Sequence, residues 1–367
     1  MVMFARFGKL VGLGATQIFG RTGRSWFPSG PADYSIDLAN LYRMEGHWTL
    51  TFSKLGTVHL SPNRLRHLRT CLDTWSYLQV LWRSRRTVGP DTVKIVEEVD
   101  DASLGPRSIR ISDDYYGRSA MGDCAYYPYV MHPWVYSKGW HRRVVALRRS
   151  PRRFRLFFSG VVNEGYVERF DFPIMNRPAI VECVLETFRS DACVVSSRSD
   201  LAALRRTDRP IVLIVFRGDV TPTASNHFLS RESYLRMLAR SRFALCPPGV
   251  FMPHSHNLVE AMAVGTIPLI NYPEFCRPEL ADGETCLTFS SPEELRDAVR
   301  RALTASTEQT QSMTGAVTRY YDEELSPEGT ARKLARFLAQ AGPESRLILN
   351  REFITARLWS RGKAQVP

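Results

Sequence analysis

One stretch constrains this chain more than any other. Residues 243–246, Phe-Ala-Leu-Cys, form a short apolar run that Pro247, Pro248 and Gly249 close abruptly, the pattern of a buried strand ending in a tight loop. A helix is predicted to follow from His254 or Ser255, with Ser255 placed to cap its first turn and Leu258, Val259, Met262 and Ala263 forming an apolar face. Gly265 ends it, and residues 266–270 read as the next buried strand. A strand, loop, helix and strand in this order form one unit of a parallel sheet, and such sheets bind ligands at the carboxyl ends of their strands.

The same stretch carries the chemistry of an anion site. Gly249 permits close backbone approach, and the helix start presents N–H groups to a pyrophosphate. Glu260, inside the helix and flanked by apolar residues, is suited to accept hydrogen bonds from a ribose diol; a lone Glu on a helix is otherwise most often solvated.

These residues resemble the nucleotide-sugar segment of GT-B glycosyltransferases, and most of all the exostosin-type family. Phe243, Leu245, Cys246, Pro247, Gly249, Ser255, Leu258, Val259, Glu260, Ala261, Gly265, Ile267, Pro268 and Ile270 fit its pattern. The chain departs from that pattern at Asn257, where the family has an arginine. The resemblance implies an α/β GT-B fold, two Rossmann-like domains facing a cleft, with a C-terminal helix crossing back to the first domain. It implies a nucleotide-sugar donor in the second domain, contacted by Ser159, Gly160, Arg217, Gly249, His254, Ser255, His256, Asn257 and Glu260. Arg169 and Arg177 are candidates to replace the missing arginine. Retaining members of the fold often carry two glutamates eight positions apart; Met252 stands eight before Glu260, which favours inversion.

Length allows two domains, since 367 residues support two separate cores. The best linker is the arginine-rich run around Ser150 and Pro151, giving an N-terminal segment 1–30, a first domain 31–150, a second 151–340 and a tail 341–367. No apolar run is long enough to span a membrane, and the first thirty residues lack the unbroken apolar core of an export signal. The segment 1–30 reads as a loosely ordered terminus or a weak basic amphipathic face on a membrane. The net charge of +12 is compatible with an anionic glycan or membrane surface, while the spacings of common nucleic-acid modules are absent. Seven cysteines without a C-x-x-C pair read as reduced core residues of a cytoplasmic protein.

Along the rest of the chain, residues 65–81 are helix-like and 93–97 and 108–111 strand-like. An aromatic-rich segment, 112–134, holds Asp113, Asp114, Asp123 and His132. In the implied first domain these are the candidates for the catalytic base, although each alone reads more readily as a surface acid or core histidine. The D-x-D spacing of metal-dependent transferases is missing, so no metal or other cofactor is expected. Residues 154–160, 193–196 and 211–216 read as strands, and 180–188, 230–240 and 293–303 as helices. Ser326-Pro327 opens another helix, and 347–358 is the candidate crossing helix.

The reading is a glycosyltransferase of surface polysaccharide or glycoconjugate synthesis, acting on a glycan or lipid-linked glycan. Its donor is a UDP-sugar before a GDP-sugar, and it stands in the cytoplasm or at the inner face of the membrane, without nucleic acid as a partner. The rivals are a fucosyltransferase-like enzyme using a GDP-sugar and a non-catalytic glycan- or membrane-binding protein on a degenerate transferase fold.

Overall fold

A computed structural model of the chain describes residues 33–37, 92–97, 108–112, 124–129, 131, 135, 140–168, 172–197, 199–217, 229–250, 253–340 and 345–349. Two units divide it. One is Met1–Pro128 with Ser326–Pro367, and the other is Tyr129–Leu325. The linker run around Pro151 therefore lies inside the second unit, and the first unit takes back the chain from Ser326 onward.

The first unit holds a five-stranded sheet. Its strands are β1 (Asp33–Asp37), β2 (Thr92–Glu97), β3 (Ser108–Ser112), β4 (Cys124–Tyr127) and, from the far end of the chain, β11 (Arg346–Leu349). The order is β1-β2-β3-β11-β4. Only β1 and β2 pair antiparallel; β11 lies parallel to both β3 and β4 and fills the place between them. The returning chain thus contributes a strand at 346–349, where the sequence reading placed the start of a crossing helix; a helix, Pro327–Gln340, does precede it. The helix-like run 65–81 lies outside the described residues.

In the second unit the chain runs α1 (Val144–Leu147), β5 (Phe154–Val161), α2 (Gly165–Glu168), α3 (Arg177–Thr187), β6 (Ala192–Val195), α4 (Ala203–Arg206), β7 (Ile211–Phe216), α5 (Arg231–Ala239), β8 (Ser241–Leu245), α6 (His256–Ala263), β9 (Ile267–Ile270), β10 (Leu287–Thr288), α7 (Pro292–Thr304) and α8 (Thr307–Tyr320). Helix α9 (Pro327–Gln340) then leads back to the first unit. The sheet order is β10-β9-β8-β5-β7-β6, and every pairing is parallel.

Sequence explains the order. All six residues of β7, Ile-Val-Leu-Ile-Val-Phe, are buried, as an interior parallel strand covered on both faces requires. Strand β6 alternates between half-buried and buried residues and takes the edge. In the usual doubly wound order the second strand lies beside the first; here the third, β7, does so, and it is the more apolar of the two. The order still reverses between β5 and β8, so the crevice beyond their carboxyl ends is the expected ligand position.

The helices follow local signals. Asn176 caps α3 by accepting from the Ala179 amide at 3.1 Å, with Pro178 in the first turn, so α3 begins three residues before the expected start. Ser291 caps α7, whose buried residues Leu295, Ala298, Val299 and Ala302 recur at three and four positions. Glu294 accepts from the amide and hydroxyl of Ser290 at 2.7 Å each. Gly265, at φ 73°, ends the α6 segment in the left-handed region. Among the described residues no helix is long and apolar enough to cross a membrane.

Candidate functional site

Strand β8 ends at Leu245, and Cys246, Pro247, Pro248 and Gly249 turn the chain towards α6. Neither proline has an N–H, so the loop is held by its carbonyls. Three successive carbonyls each receive a side-chain donor. Tyr272 donates its hydroxyl to the Cys246 oxygen at 3.0 Å, Ser255 to that of Pro247 at 3.4 Å, and Arg177 its Nε to that of Pro248 at 3.0 Å. The Gly249 amide donates to the Pro253 carbonyl at 3.2 Å and closes the loop.

Ser255 stands at the cap position of α6, as its sequence position indicates, but its hydroxyl is committed to Pro247 and makes no capping bond. The first turn of α6 therefore has no side-chain cap, and its start points at the reversal of the strand order.

Arg177 is the chief cation here. Its side chain is buried, and beyond the bond to Pro248 it donates to the Tyr166 hydroxyl at 2.7 Å and, at 3.5 Å, to the Val161 carbonyl at the end of β5. Its guanidinium carbon lies 4.1 Å from the centre of the Tyr166 ring. Gly160 makes room for it. A Cβ on Gly160 would stand 3.0 Å from the Phe158 ring and 3.4 Å from Nη1 of Arg177. Ser159 and Gly160, both half-buried, end β5 beside this guanidinium.

From β9 comes Asn271. Its Nδ2 donates to the Met175 carbonyl at 2.9 Å, which fixes the amide orientation and leaves the buried Oδ1 without a hydrogen-bond partner. Nothing in the sequence beyond its place at a strand end marked this residue. Tyr166 and Tyr272 carried no signal at all.

The other expected donor contacts lie differently. Glu260 is fully buried, facing Arg231 at 3.8 Å, and its charge helps push the Tyr234 hydroxyl and the Cys246 thiol upward in pKa after burial, the main cause. In this structure it is a buried counter-ion of Arg231, with residues 258–263 of α6 all buried around it.

His254 is also buried, stacked on Tyr129 at 6.0 Å and edge-on to Tyr272 at 5.9 Å, with Nε2 3.9 Å from the Cys276 thiol. Burial, reinforced by Arg277, pushes its pKa down to about 3, so the ring is neutral. His256, with its ring centre 5.2 Å from that of Tyr129, and Asn257 are half-buried on the first turn of α6. Arg217 is exposed at the end of β7 and paired with Glu182 of α3 at 2.6 Å. Asp113, Asp114, Asp123, His132 and Arg169 lie outside the described residues.

Gly160 and the loop carbonyl of Pro248 meet Arg177, and Ser159, Gly249, His256, Asn257 and Asn271 stand at or just beyond the carboxyl ends of the neighbouring strands β5, β8 and β9. A buried guanidinium and an uncapped helix start beside a glycine are the ingredients of a phosphate cradle.

Residues 198–337 match the family model described as Glycosyl transferase-like. That match contains α5, β8, the loop, α6 and β9, and so covers the half of the site that follows β7. No curated protein matches the chain. Among solved structures, one titled "OtsA apo structure" is 13% identical, covers 74% of this chain and 59% of its own, and has a TM-score of 0.37. Another, titled "Structure of Candida albicans trehalose-6-phosphate phosphatase N-terminal domain", is 10% identical, covers 64% and 50%, and has a TM-score of 0.31. The chain therefore spans well under two thirds of the length of either.

Proposed function

We propose that this chain is a glycosyltransferase that moves a sugar from a nucleotide-sugar donor to a hydroxyl of a glycan or glycolipid acceptor. The observation that carries the reading is the buried Arg177 bonded to the loop carbonyl of Pro248, in the loop that leads from β8 to the uncapped start of α6 at the point where the strand order reverses. A cation and helix amides there favour a diphosphate and stabilise the charge that grows on it as the sugar leaves. In the reaction the acceptor oxygen bonds to the anomeric carbon, the bond from that carbon to the diphosphate breaks, and the hydroxyl proton passes to a base expected among Asp113, Asp114, Asp123 and His132. Arg177 replaces the arginine that the exostosin-type pattern has at position 257. Gly160 and Gly249 let the phosphates approach the backbone, and the free acceptor of Asn271 offers a partner to a donor N–H or hydroxyl. The proposed enzyme inverts, needs no metal, takes a UDP-sugar before a GDP-sugar, and serves polysaccharide or glycoconjugate synthesis.

A second reading, binding without turnover, is favoured by the burial of Glu260. Calorimetric titration with UDP and GDP, followed by a hydrolysis screen over nucleotide sugars, separates the two. Asn257→Asp is the informative variant, because a carboxylate on the first turn suits the helix dipole yet repels a phosphate. The expected result is UDP binding weakened about tenfold or more by Asn257→Asp with no loss of thermal stability. If neither nucleotide binds the wild type, the transferase reading is wrong. Binding without hydrolysis of any donor would leave the second.

A further inference from the structure

Residues 124–163 contain eight lysines and arginines and not one aspartate or glutamate, a local excess of eight in a chain whose net charge is +12. Three of these arginines turn inward. Arg148 forks onto Asp322, Arg152 binds the carbonyls of Ser241 and Val264, and Arg155 binds that of Ala305. Arg142, Arg143, Arg149 and Arg153 remain exposed, and none has a carboxylate within salt-bridge distance among the described residues.

Two buried rings organise this surface. Trp140 lies under Arg143 at 5.5 Å and Arg236 at 5.6 Å; Phe154 lies under Arg153 at 5.1 Å and the exposed Arg240 at 6.0 Å. The Phe154 amide donates to the Arg240 carbonyl at 3.0 Å, which ties the two ends together. Among these cations, on α1, stands Val145, one of two large apolar residues that are half exposed among the described residues. The surface lies where β5 and β8 begin, so the eight-residue β5 separates it from the candidate site by ~25 Å.

We propose that this arginine face docks the second unit on an anionic phospholipid surface. Arg236 is paired with Glu232 at 2.9 Å, but Arg142, Arg143, Arg149 and Arg153, with no counter-charge among the described residues, attract a plane of phosphates, and Val145 adds a small apolar contact at headgroup depth. Single-stranded nucleic acid is the poorer fit, because it needs exposed aromatic faces for its bases, and both rings here are covered by their own arginines. The proposal is independent of the transferase reading, since the candidate site lies at the opposite strand ends.

The test is co-sedimentation of the full chain with phosphatidylcholine vesicles, with and without phosphatidylglycerol. Binding is expected only with phosphatidylglycerol, falling as salt rises. The combined variant Arg142→Gln, Arg143→Gln, Arg149→Gln and Arg153→Gln should lose about fivefold in partitioning per arginine, while Arg300→Gln on α7 should lose none. Circular dichroism checks that the combined variant is folded; if it is not, the single variants Arg142→Gln and Arg149→Gln give the same reading. The proposal falls if the wild type ignores phosphatidylglycerol, if its binding is indifferent to salt, or if the folded variants bind as the wild type does. It falls too if a single-stranded oligonucleotide binds through these arginines and the vesicles do not.

Discussion

Arg177 has to satisfy a carbonyl before it can serve a ligand. Its Nε bond to Pro248 is buried, so Arg177→Leu should leave that oxygen and the Tyr166 hydroxyl without their donor and cost about 1–3 kcal/mol, read by urea unfolding. Lysine should not restore the wild type, because one ammonium cannot span both partners as the planar fork does. His254 gives a pH dependence instead. Its ordinary pKa is 6.5 and burial takes it to about 3 in the fold. Between those values the unfolded chain holds a proton that the folded chain refuses, so acidification through this window destabilises the fold. Thermal melting at neutral pH and near pH 5 should show a smaller acid loss in His254→Gln than in the wild type.

At the level of elements, the weight falls on the carboxyl end of α6. Arg152 reaches the carbonyls of Ser241 at 2.8 Å and Val264 at 2.7 Å and the Thr266 hydroxyl at 2.7 Å, joining β8, α6 and the approach to β9. Burial pulls its pKa down to about 10, still well above neutrality, so it stays charged. Arg152→Met should cost about 1–3 kcal/mol for each buried acceptor it leaves without a donor, read by chemical denaturation. Gly265→Ala should cost about 1–2 kcal/mol, since its φ is 73° and a Cβ would stand 3.1 Å from both Arg152 and Thr318.

The sequence made these elements unequally legible. Strand β7 and residues 243–246, which contain the end of β8, declared themselves by unbroken apolar runs, β5 by an apolar run broken at Arg155, and Ser230 and Gly265 marked helix ends by residue type alone. Helix α8 escaped because its inward stripe is Thr310, Met313, Ala316 and Val317, too small and polar to show a period, although Ser306 and Gln309 form a capping box. Glu260 was legible as a helix residue, but its pairing with Arg231, on the helix just upstream of the motif, was not. Arg177 was visible only as an arginine near a helix start; its bond to a carbonyl 71 residues away was not.

For the whole molecule, the decisive feature is that the first unit is made from both ends of the chain. Strand β11 stands between β3 and β4, so a chain ending at residue 340 lacks an interior strand of that sheet. Such a truncation should abolish the cooperative unfolding of the first unit, while the continuous piece 129–325 should fold alone; proteolysis and circular dichroism of the two fragments check both outcomes. On the ribosome the consequence is one of timing. The nascent amino-terminal part must wait, its sheet unfinished, until β11 has emerged, whereas the middle of the polypeptide is by then complete and able to fold.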